Sequence, residues 1–408
     1  MTIKQPKKCR ICNGSDCPVM LDFGPRPITK RLLSLPQSEN EFSQDIRLHI
    51  CRDCGFVQIL DTVPENELYS EYALQSTWKS QPHLLDELNE LRRLGSLSND
   101  DFIVEIGCND GSALMSLRNQ GAVNLLGVEP SSDVASIAQS RGFTVFNGYF
   151  NSSLAKDIQG KYGKCDLLIC RQVLEHVSYL DEFLTAVRSI INDNGNLLIE
   201  VPDFAVPLEY GDISAIWEEH VNYFTENSLK YLLRKHGFDP VLTRRYDFSG
   251  GAITVIARKA SAEESIFVGN ILSEYDVNSL YRKKTEDFAS RIIMYITASG
   301  YPKDRIAIYG AGNRSVILLN HFLDNFVGIV VDDQPEKQNR FLPKCHKPIY
   351  GSEYLINNNI ALCLLAVNAE NEDVVINNNL EYTRKGGKFV SVLSPSKYLI
   401  FNGDQING

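Results

Sequence analysis

The chain has 408 residues, of which 43% are hydrophobic and 23% charged, the balance of an ordinary globular protein with two or three domains. Its formal net charge of −10 argues against a general nucleic-acid binder, whose surface is normally basic. No apolar segment follows the N-terminal lysines and none reaches spanning length, so we expect neither a signal peptide nor membrane contact. Ten cysteines, four of them in two Cys-x-x-Cys pairs, favour a metal and a reducing, cytoplasmic location over disulfides.

The two cysteine pairs predict a zinc site in an N-terminal domain covering residues 1–63. Each pair presents two thiolates to one ion, and four thiolates complete a tetrahedral shell. The predicted ligands are Cys9, Cys12, Cys51 and Cys54. Because all four ligands come from the protein, we expect a structural zinc, which stabilises a segment too small to have a sufficient core. Cys17 and His49 are alternative ligands, and redox chemistry is the alternative role.

Residues 64–98 are predicted to form a helical segment, because leucines recur there at helical spacing. The stretch ahead of these leucines is rich in hydroxyl and aromatic side chains and includes Tyr72 and Ser76. It fits either a polar linker or a lid over a bound cofactor and substrate.

Residues 99–260 carry the pattern of a nucleoside-binding α/β domain. Phe102 to Ile106 is typical of a buried parallel strand, and two glycines bracket the turn into the next helix. A second strand ends at Glu129, an acid that suits a ribose hydroxyl pair. The acid inside the first motif, Glu105, favours S-adenosylmethionine (SAM) over a dinucleotide. The predicted SAM-binding residues are Glu105, Gly107, Asn109, Asp110, Gly111, Glu129, Pro130 and Gln172.

Further strands in this domain end near residues 170 and 201, and residues 240–246 and 252–259 form a closing pair. The pattern predicts a class I methyltransferase core, a Rossmann-like sheet of seven strands whose last strand is antiparallel. In such sheets ligands bind at the carboxyl ends of the strands.

An insertion at residues 216–225 contains Glu219 and His220 side by side. A buried glutamate beside a histidine is expected to keep the imidazole pKa in the working range, as proton abstraction requires. We therefore predict His220 as a catalytic base with Glu219 as its partner. A capped helix entry with Thr225 at the N-cap is the plainer interpretation, and both can hold together. His176 is placed at the same site as a structural, binding or proton-carrying residue.

Residues 261–408 are predicted to begin with a helical bridge and to continue as a Rossmann-like domain. Gly310-x-Gly312, with an acid some 20 residues on, resembles a dinucleotide fingerprint, but Ser315 replaces the third glycine. NAD is therefore the lesser interpretation. The favoured one is a degenerate domain whose helix N-terminus and Arg314 bind a diphosphate of the substrate.

In its whole layout the chain resembles the three-domain sugar C-methyltransferases, which act on nucleotide-linked 4-keto-deoxysugars. The resemblance rests on the paired cysteines and on four motifs, which are Glu105-Ile-Gly-Cys-Asn-Asp-Gly, Val173-Leu-Glu-His176, Glu219-His220 with Tyr223-Phe224, and Val330-Val-Asp-Asp333-Gln-Pro-Glu-Lys337-Gln.

The resemblance implies a chemistry in which the C4 ketone acidifies the C3 proton, His220 removes it, and the enolate carbon takes the SAM methyl without a catalytic metal. It also implies that a nucleotide-sugar lies between the middle and C-terminal domains. The substrate-binding residues that we predict from the sequence are Tyr72, Ser76, His176, Trp217, Asn222, Tyr223 and Arg314.

The chain departs from the family pattern at Trp217, where the family has a tyrosine, and at Leu74, which interrupts the lid's Tyr-x-Tyr-x-Ser run. The C-terminal Gly-Ala-Gly-Asn-Arg-Ser loop also differs. These departures leave open a different sugar or an oxygen or nitrogen acceptor. The alternatives are thus an O- or N-methyltransferase, an inactive SAM-binding scaffold and, disfavoured by the acidic balance, a zinc-ribbon RNA methyltransferase.

Overall fold

The structure, a computed structural model, describes residues 8–36, 41–68, 81–260 and 277–400. The predicted lid residues Tyr72, Leu74 and Ser76 lie outside these ranges.

The N-terminal part is a small antiparallel sheet followed by two helices. Its elements are β1 (Val19–Pro27), β2 (Ser43–Ile50), β3 (Val57–Ile59), α1 (Glu65–Leu68) and α2 (Pro82–Arg93). The strands pair in chain order. In α2, Leu84, Leu88 and Leu91 are buried whereas Leu85 is exposed, so the helix predicted from the leucine spacing is confirmed.

The middle part is built on a seven-stranded sheet. Its strands and the short β9 are β4 (Phe102–Ile106), β5 (Asn124–Glu129), β6 (Thr144–Asn147), β7 (Cys165–Arg171), β8 (Ile191–Pro202), β9 (Asn222–Tyr223), β10 (Phe238–Tyr246) and β11 (Ala252–Lys259). The helices are α3 (Ser112–Asn119), α4 (Ser132–Ser140), α5 (Ser152–Tyr162), α6 (Leu180–Ile190), α7 (Ala205–Tyr210) and α8 (Glu226–Lys235).

The strand order of this sheet is β10-β11-β8-β7-β4-β5-β6. β4 to β8 run parallel, and β11 is antiparallel to both of its neighbours. The predicted seven-stranded sheet with an antiparallel last strand is therefore confirmed.

Alternate side chains of the central strands point to opposite faces of this sheet, as β-geometry requires. Ile103 and Leu167 pack in one hydrophobic cluster with α2 and α3. Their neighbours Val104 and Leu168 pack in another cluster with α5, α6 and α8. Burial on both faces explains why these strands are almost continuously apolar.

The short strand β9 lies outside the seven-stranded sheet. It pairs antiparallel with β3, with Tyr223 opposite Val57 and Asn222 opposite Gln58. The N-terminal sheet thus has the order β1-β2-β3-β9 and takes its last strand from the insertion that follows β8.

The C-terminal part is a five-stranded parallel sheet with helices. Its elements are α9 (Val277–Ala298), β12 (Ile306–Tyr309), α10 (Asn313–Leu318), β13 (Ile329–Val331), β14 (Ile349–Tyr350), α11 (Tyr354–Asn357), β15 (Leu362–Leu365), α12 (Ala369–Asn378), α13 (Leu380–Arg384) and β16 (Lys388–Ser391). The strand order β14-β13-β12-β15-β16 confirms the predicted Rossmann-like unit. Among the described residues, no helix combines the length and the apolarity needed to span a bilayer.

Candidate active site and zinc centre

The four predicted zinc ligands converge at the start of the chain. The cysteine sulfurs lie within 4.8 Å of one another, with 3.6 Å between Cys9 and Cys54 and 3.5 Å between Cys12 and Cys51. Bonds of about 2.3 Å to a tetrahedral zinc place sulfurs roughly 3.8 Å apart, so the four thiols fit the ion. Cys17 and His49 do not belong to this cluster; Cys17 Sγ contacts the Gly14 carbonyl and His49 Nδ1 the Arg47 carbonyl.

The arginine inside the first cysteine pair connects the zinc knuckle to the insertion after β8. Arg10 donates from its guanidinium to the carbonyl oxygens of Val221, at 3.0 Å, and Ile59, at 2.7 Å. Its backbone N–H donates to Gln58 Oε1 at 3.0 Å. By contrast, Arg52 in the second pair is exposed and contacts Asp16 at 3.4 Å. Of these two arginines, Arg10 is therefore the one that anchors the insertion.

The predicted SAM-binding turn joins β4 to α3. Gly107 and Gly111 have φ values of +73° and +79°, which favour glycine, and a Cβ on Gly107 would lie 2.4 Å from Val173 Cγ2. Glu129, at the end of β5, accepts from the backbone N–H groups of Asn109 at 3.0 Å and Ser131 at 2.9 Å. Each of its carboxylate oxygens keeps a lone pair for a ribose hydroxyl.

Two further acids shape this turn. Asp110 accepts from Ser112 N at 3.1 Å and Oγ at 2.7 Å, which organises the start of α3, and it pairs with Arg141 at 3.0 Å. Glu105 is buried, and its Oε2 has no hydrogen-bond partner in the described part of the chain. Burial raises the pKa of Glu105 to about 8. Pro130 follows Glu129 at the surface.

Gln172, also predicted to bind SAM, follows β7 with a φ of +53° and donates from Nε2 to Glu200 Oε1 at 3.0 Å. Glu200 belongs to a buried group that we call the Arg171 cluster, consisting of His83, Glu87, Arg171 and Glu200. Arg171 contacts Glu87 at 3.1 Å and Glu200 at 3.3 Å, and His83 Nε2 lies 2.7 Å from Glu200. Although burial raises it, Arg171 and His83 lower the pKa of Glu200 to about 2.

The predicted base lies in the insertion after β8, between two other rings. The ring centroid of His220 is 3.9 Å from that of Trp217 and 4.7 Å from that of His176, whose ring is nearly perpendicular at 84°. Within the described residues the ring nitrogens of His220 have no hydrogen-bond partner. Burial, with smaller effects of His176, Lys30 and Arg314, lowers the pKa of His220 well below its usual value. The imidazole is therefore neutral at physiological pH.

The insertion is bound to the turn after β7 and to the N-terminal sheet. Val221 N donates to the Glu175 carbonyl at 2.9 Å, and Asn222 Nδ2 donates to the carbonyls of Leu174 and Val177. The chain then enters α8 through a capping box, in which Thr225 and Ser228 exchange side-chain and backbone hydrogen bonds. The predicted Thr225 N-cap is confirmed.

The N-terminal part also binds the two acids of the insertion. Lys30 Nζ lies 2.7 Å from Glu219 Oε2, while Thr29 donates from N at 2.7 Å and from Oγ1 at 2.9 Å to Glu218 Oε1. The carboxylate of Glu219 thus faces a lysine, and it is absent from the groups that set the pKa of His220. The expectation that Glu219 holds that pKa in the working range is wrong, because burial dominates and lowers it.

Several polar atoms near His220 lack a partner among the described residues. They are Trp217 Nε1, Glu219 Oε1, Asn222 Oδ1 and Glu175 Oε2, all of them buried. Since buried polar groups are normally hydrogen-bonded, these donors and acceptors are available to a bound polar molecule. Tyr223 is buried with its ring 4.9 Å from that of Phe204.

Arg314, predicted to bind phosphate, joins the C-terminal part to the middle part. Its guanidinium contacts Asp212 at 3.5 Å, Ser214 Oγ at 3.1 Å and the Ser249 carbonyl at 2.9 Å. Its charge is thus shared with Asp212 in this structure. The acid that follows β13, Asp332, is bound by Ala311 N and Lys337 Nζ.

Three family models match the chain in succession. They are described as a zinc binding domain over residues 9–69, a methyltransferase domain over 78–243 and a C-methyltransferase C-terminal domain over 247–394. The three models together describe a SAM-dependent C-methyltransferase with a zinc-binding domain at its N-terminus. It is 26% identical to the C-methyltransferase NovU of Streptomyces niveus over 94% of both chains.

Solved methyltransferases also resemble parts of this C-methyltransferase. The magnesium protoporphyrin IX methyltransferase of Synechocystis PCC 6803 with bound SAH is 19% identical, with a TM-score of 0.35 over 43% of this chain and 82% of that one. A SAM-dependent methyltransferase of Methanosarcina mazei is 17% identical, with a TM-score of 0.32 over 41% of this chain and 97% of that one. Because these TM-scores are low, the fold is assigned from the strand order of the seven-stranded sheet and not from these structures.

Lys30, Thr29 and Arg10 were not found from the sequence as parts of this site. Lys30 and Glu219 are separated by 189 positions, so no local spacing links them. The sequence did contain one indication of these contacts. The short strand Asn222-Tyr223 requires a pairing partner elsewhere in the chain, and that partner is β3.

Proposed function

We propose that this C-methyltransferase methylates C3 of a nucleotide-linked 4-ketosugar and that His220 is the base that removes the C3 proton. The observation that carries the proposal is the state of His220. A neutral imidazole close to an indole and a second imidazole, with no hydrogen-bond partner for its ring nitrogens among the described residues, can accept a proton, although its lowered pKa makes it a weaker base than an exposed histidine.

The surroundings of His220 suit a polar, ring-shaped substrate. Trp217 presents a flat face beside the imidazole and a buried N–H that needs an acceptor, a role that a sugar oxygen fills. Glu219, with one oxygen on Lys30 and the other without a partner among the described residues, is available to a sugar hydroxyl rather than to His220. The ring centroid of His176 lies 4.7 Å from that of His220.

The chain's own residues account for the proton transfer and its orientation. His220 accepts the C3 proton, and the electron pair delocalises onto the C4 ketone oxygen. SAM, when bound at the turn after β4 and at Glu129, supplies the methyl group. The β3–β9 pairing and the Arg10 and Lys30 contacts hold His220 in place, and correct placement of reacting groups supplies a large share of the rate.

For the substrate's diphosphate, Arg314 remains our proposed contact. Its guanidinium lies at the junction of the middle and C-terminal parts, where a ligand bridging the two would reach it. Phosphate would have to replace the 3.5 Å contact with Asp212, the longest of its three.

The test is methyl transfer to a panel of nucleotide-linked 4-ketosugars, read by mass and then by NMR to place the methyl. We expect a C3-methylated product with wild-type protein and none with His220→Ala. An O- or N-methylated product, or bound SAM with no product from any ketosugar, would overturn the proposed substrate and identify Trp217 and Leu74 as marks of another acceptor.

A further inference from the structure

Glu175 lies beside His176 and His220, and no step described above uses it. One carboxylate oxygen and one ring nitrogen from each histidine lie within 4.8 Å of one another. We call Glu175, His176 and His220 the histidine triad.

The hydrogen bond made by His176 fixes which of its nitrogens is available. Nδ1 lies 3.0 Å from the backbone carbonyl oxygen of Glu219, which can only accept, so Nδ1 carries the hydrogen. Nε2 therefore keeps its lone pair, and it lies 3.9 Å from Glu175 Oε1. An imidazole held through one nitrogen by a backbone carbonyl has the usual arrangement of a metal ligand.

Glu175 is the second sign of a missing ligand. Its side chain is only 2% exposed, and its Oε2 has no hydrogen-bond partner among the described residues. A buried carboxylate is normally paired or bound to a metal, and among the described residues the one ion-pair contact of Glu175 is the 3.9 Å approach of its Oε1 to His176.

The cationic side chains nearest the triad already form ion pairs with acidic side chains. Lys30 lies 2.7 Å from Glu219, and Arg314 contacts Asp212. In the Arg171 cluster, which has the same residue types, a guanidinium already occupies the place between the two carboxylates. Of these two clusters in the described part of the chain, the histidine triad is therefore the one whose carboxyl group has no cationic side chain beside it.

We propose that Glu175, His176 and His220 form a second metal site, separate from the four cysteines, for a divalent transition-metal ion such as Zn²⁺ or Co²⁺. Two imidazoles and one carboxylate are a donor set that such ions bind with an open position. Occupation of this site inhibits the enzyme, because the lone pair of His220 cannot both hold an ion and accept a proton. The inhibition rests on the proposed function, whereas the binding does not.

The experiment is a titration with Co²⁺ of protein that carries one zinc per chain, at the four cysteines. It is followed by metal analysis and visible absorption spectroscopy. We expect one Co²⁺ beyond the zinc already bound, with weak d–d bands and without the intense near-ultraviolet band of Co²⁺ bound to thiolates. Glu175→Gln should weaken this binding by at least about 100-fold, since loss of an outer-shell partner alone costs about 10–100-fold. The same change at the Arg171 cluster, Glu87→Gln, is the control and should leave it intact.

Absence of Co²⁺ beyond the cysteine site, or binding that Glu175→Gln and His176→Gln both leave unchanged, would overturn the proposal.

In a second experiment, on activity, added Co²⁺ should slow ketosugar methylation by the wild type and by Glu87→Gln at the concentration that fills the site. Absence of activity in the zinc-loaded wild type without added Co²⁺ would count against the proposed substrate and leave the binding result standing.

Discussion

The Arg171 cluster and the histidine triad both combine histidine with buried glutamate side chains. The Arg171 cluster also contains an arginine, so the two differ in charge balance. In the Arg171 cluster a buried guanidinium contacts both carboxylates, and His83 adds a 2.7 Å contact to Glu200. In the histidine triad Glu175 has, among the described residues, one ion-pair contact, the 3.9 Å approach to His176. Burial raises the pKa of Glu175 to about 8, whereas Arg171 and His83 lower that of Glu200 to about 2 despite its burial.

The difference separates a structural role from a chemical one. In the Arg171 cluster a guanidinium that contacts both carboxylates joins α2 to β7 and β8 and supplies the positive charge that the buried acids need. A cluster without a counter-charge keeps its lone pairs, which is what a base or a metal site requires. Both include residues at or just beyond the carboxyl-terminal parts of β7 and β8, so position in the fold alone does not distinguish them.

The largest expected effect comes from removing the guanidinium of the Arg171 cluster. Arg171→Met should lower the free energy of unfolding by about 3–5 kcal/mol, because it leaves a buried charge on Glu200 without its partner. Glu175→Gln should change it by less than about 1 kcal/mol, since a group already uncharged is replaced by one of the same size. Urea denaturation measures both, and equal losses would contradict the contrast between the clusters.

A smaller effect is expected at the junction between the zinc knuckle and the triad. Arg10→Ala removes two hydrogen bonds from a charged donor to Ile59 and Val221, each worth about 1.5–3 kcal/mol. We expect kcat to fall while SAM affinity and zinc content stay unchanged, because His220 loses its anchor. Arg52→Ala, the matching change in the other cysteine pair, should leave kcat unchanged. Equal kinetics for the two variants would mean that the anchor does not position His220.

The smallest expected effect, taken per pH unit, is a pH dependence of stability at Glu105, which like Glu175 is buried with one oxygen that has no partner among the described residues. Its pKa is about 8 in the folded protein against a usual 4.5, so the folded state binds the proton more tightly and loses stability as the pH rises between those values. Glu105→Gln should therefore gain stability over the wild type by up to about 1.4 kcal/mol per pH unit within that window. Unfolding at several pH values measures it; a constant difference would show that Glu105 is charged throughout.

The sequence predicted the seven-stranded sheet, the C-terminal sheet and the four cysteines because each depends on local spacing, but it did not predict the N-terminal antiparallel sheet. Alternation and apolar runs specify β4 and β7, and Cys-x-x-Cys specifies a knuckle whatever surrounds it. The insertion after β8 was also found, with Thr225 as its N-cap.

What the sequence could not predict were contacts across the chain. Lys30 reaches Glu219 and Arg10 reaches Val221 only because β9 pairs with β3, which no local pattern encodes. Because Glu219 and His220 are adjacent in sequence, Glu219 was expected to hold the pKa of His220. Its carboxylate contacts Lys30 instead. The balance of the Arg171 cluster depends likewise on α2 packing beside β7 and β8.

The most direct test of the account is exchange of the C3 proton of a nucleotide-linked 4-ketosugar with deuterated water in the absence of SAM. We predict exchange with wild-type protein, a loss of about 10²–10⁴-fold in His220→Ala, and wild-type exchange in His236→Ala, whose histidine contacts Asp181 on α6. Exchange at the wild-type rate in His220→Ala would show that another group removes the proton, and would contradict the role assigned to His220.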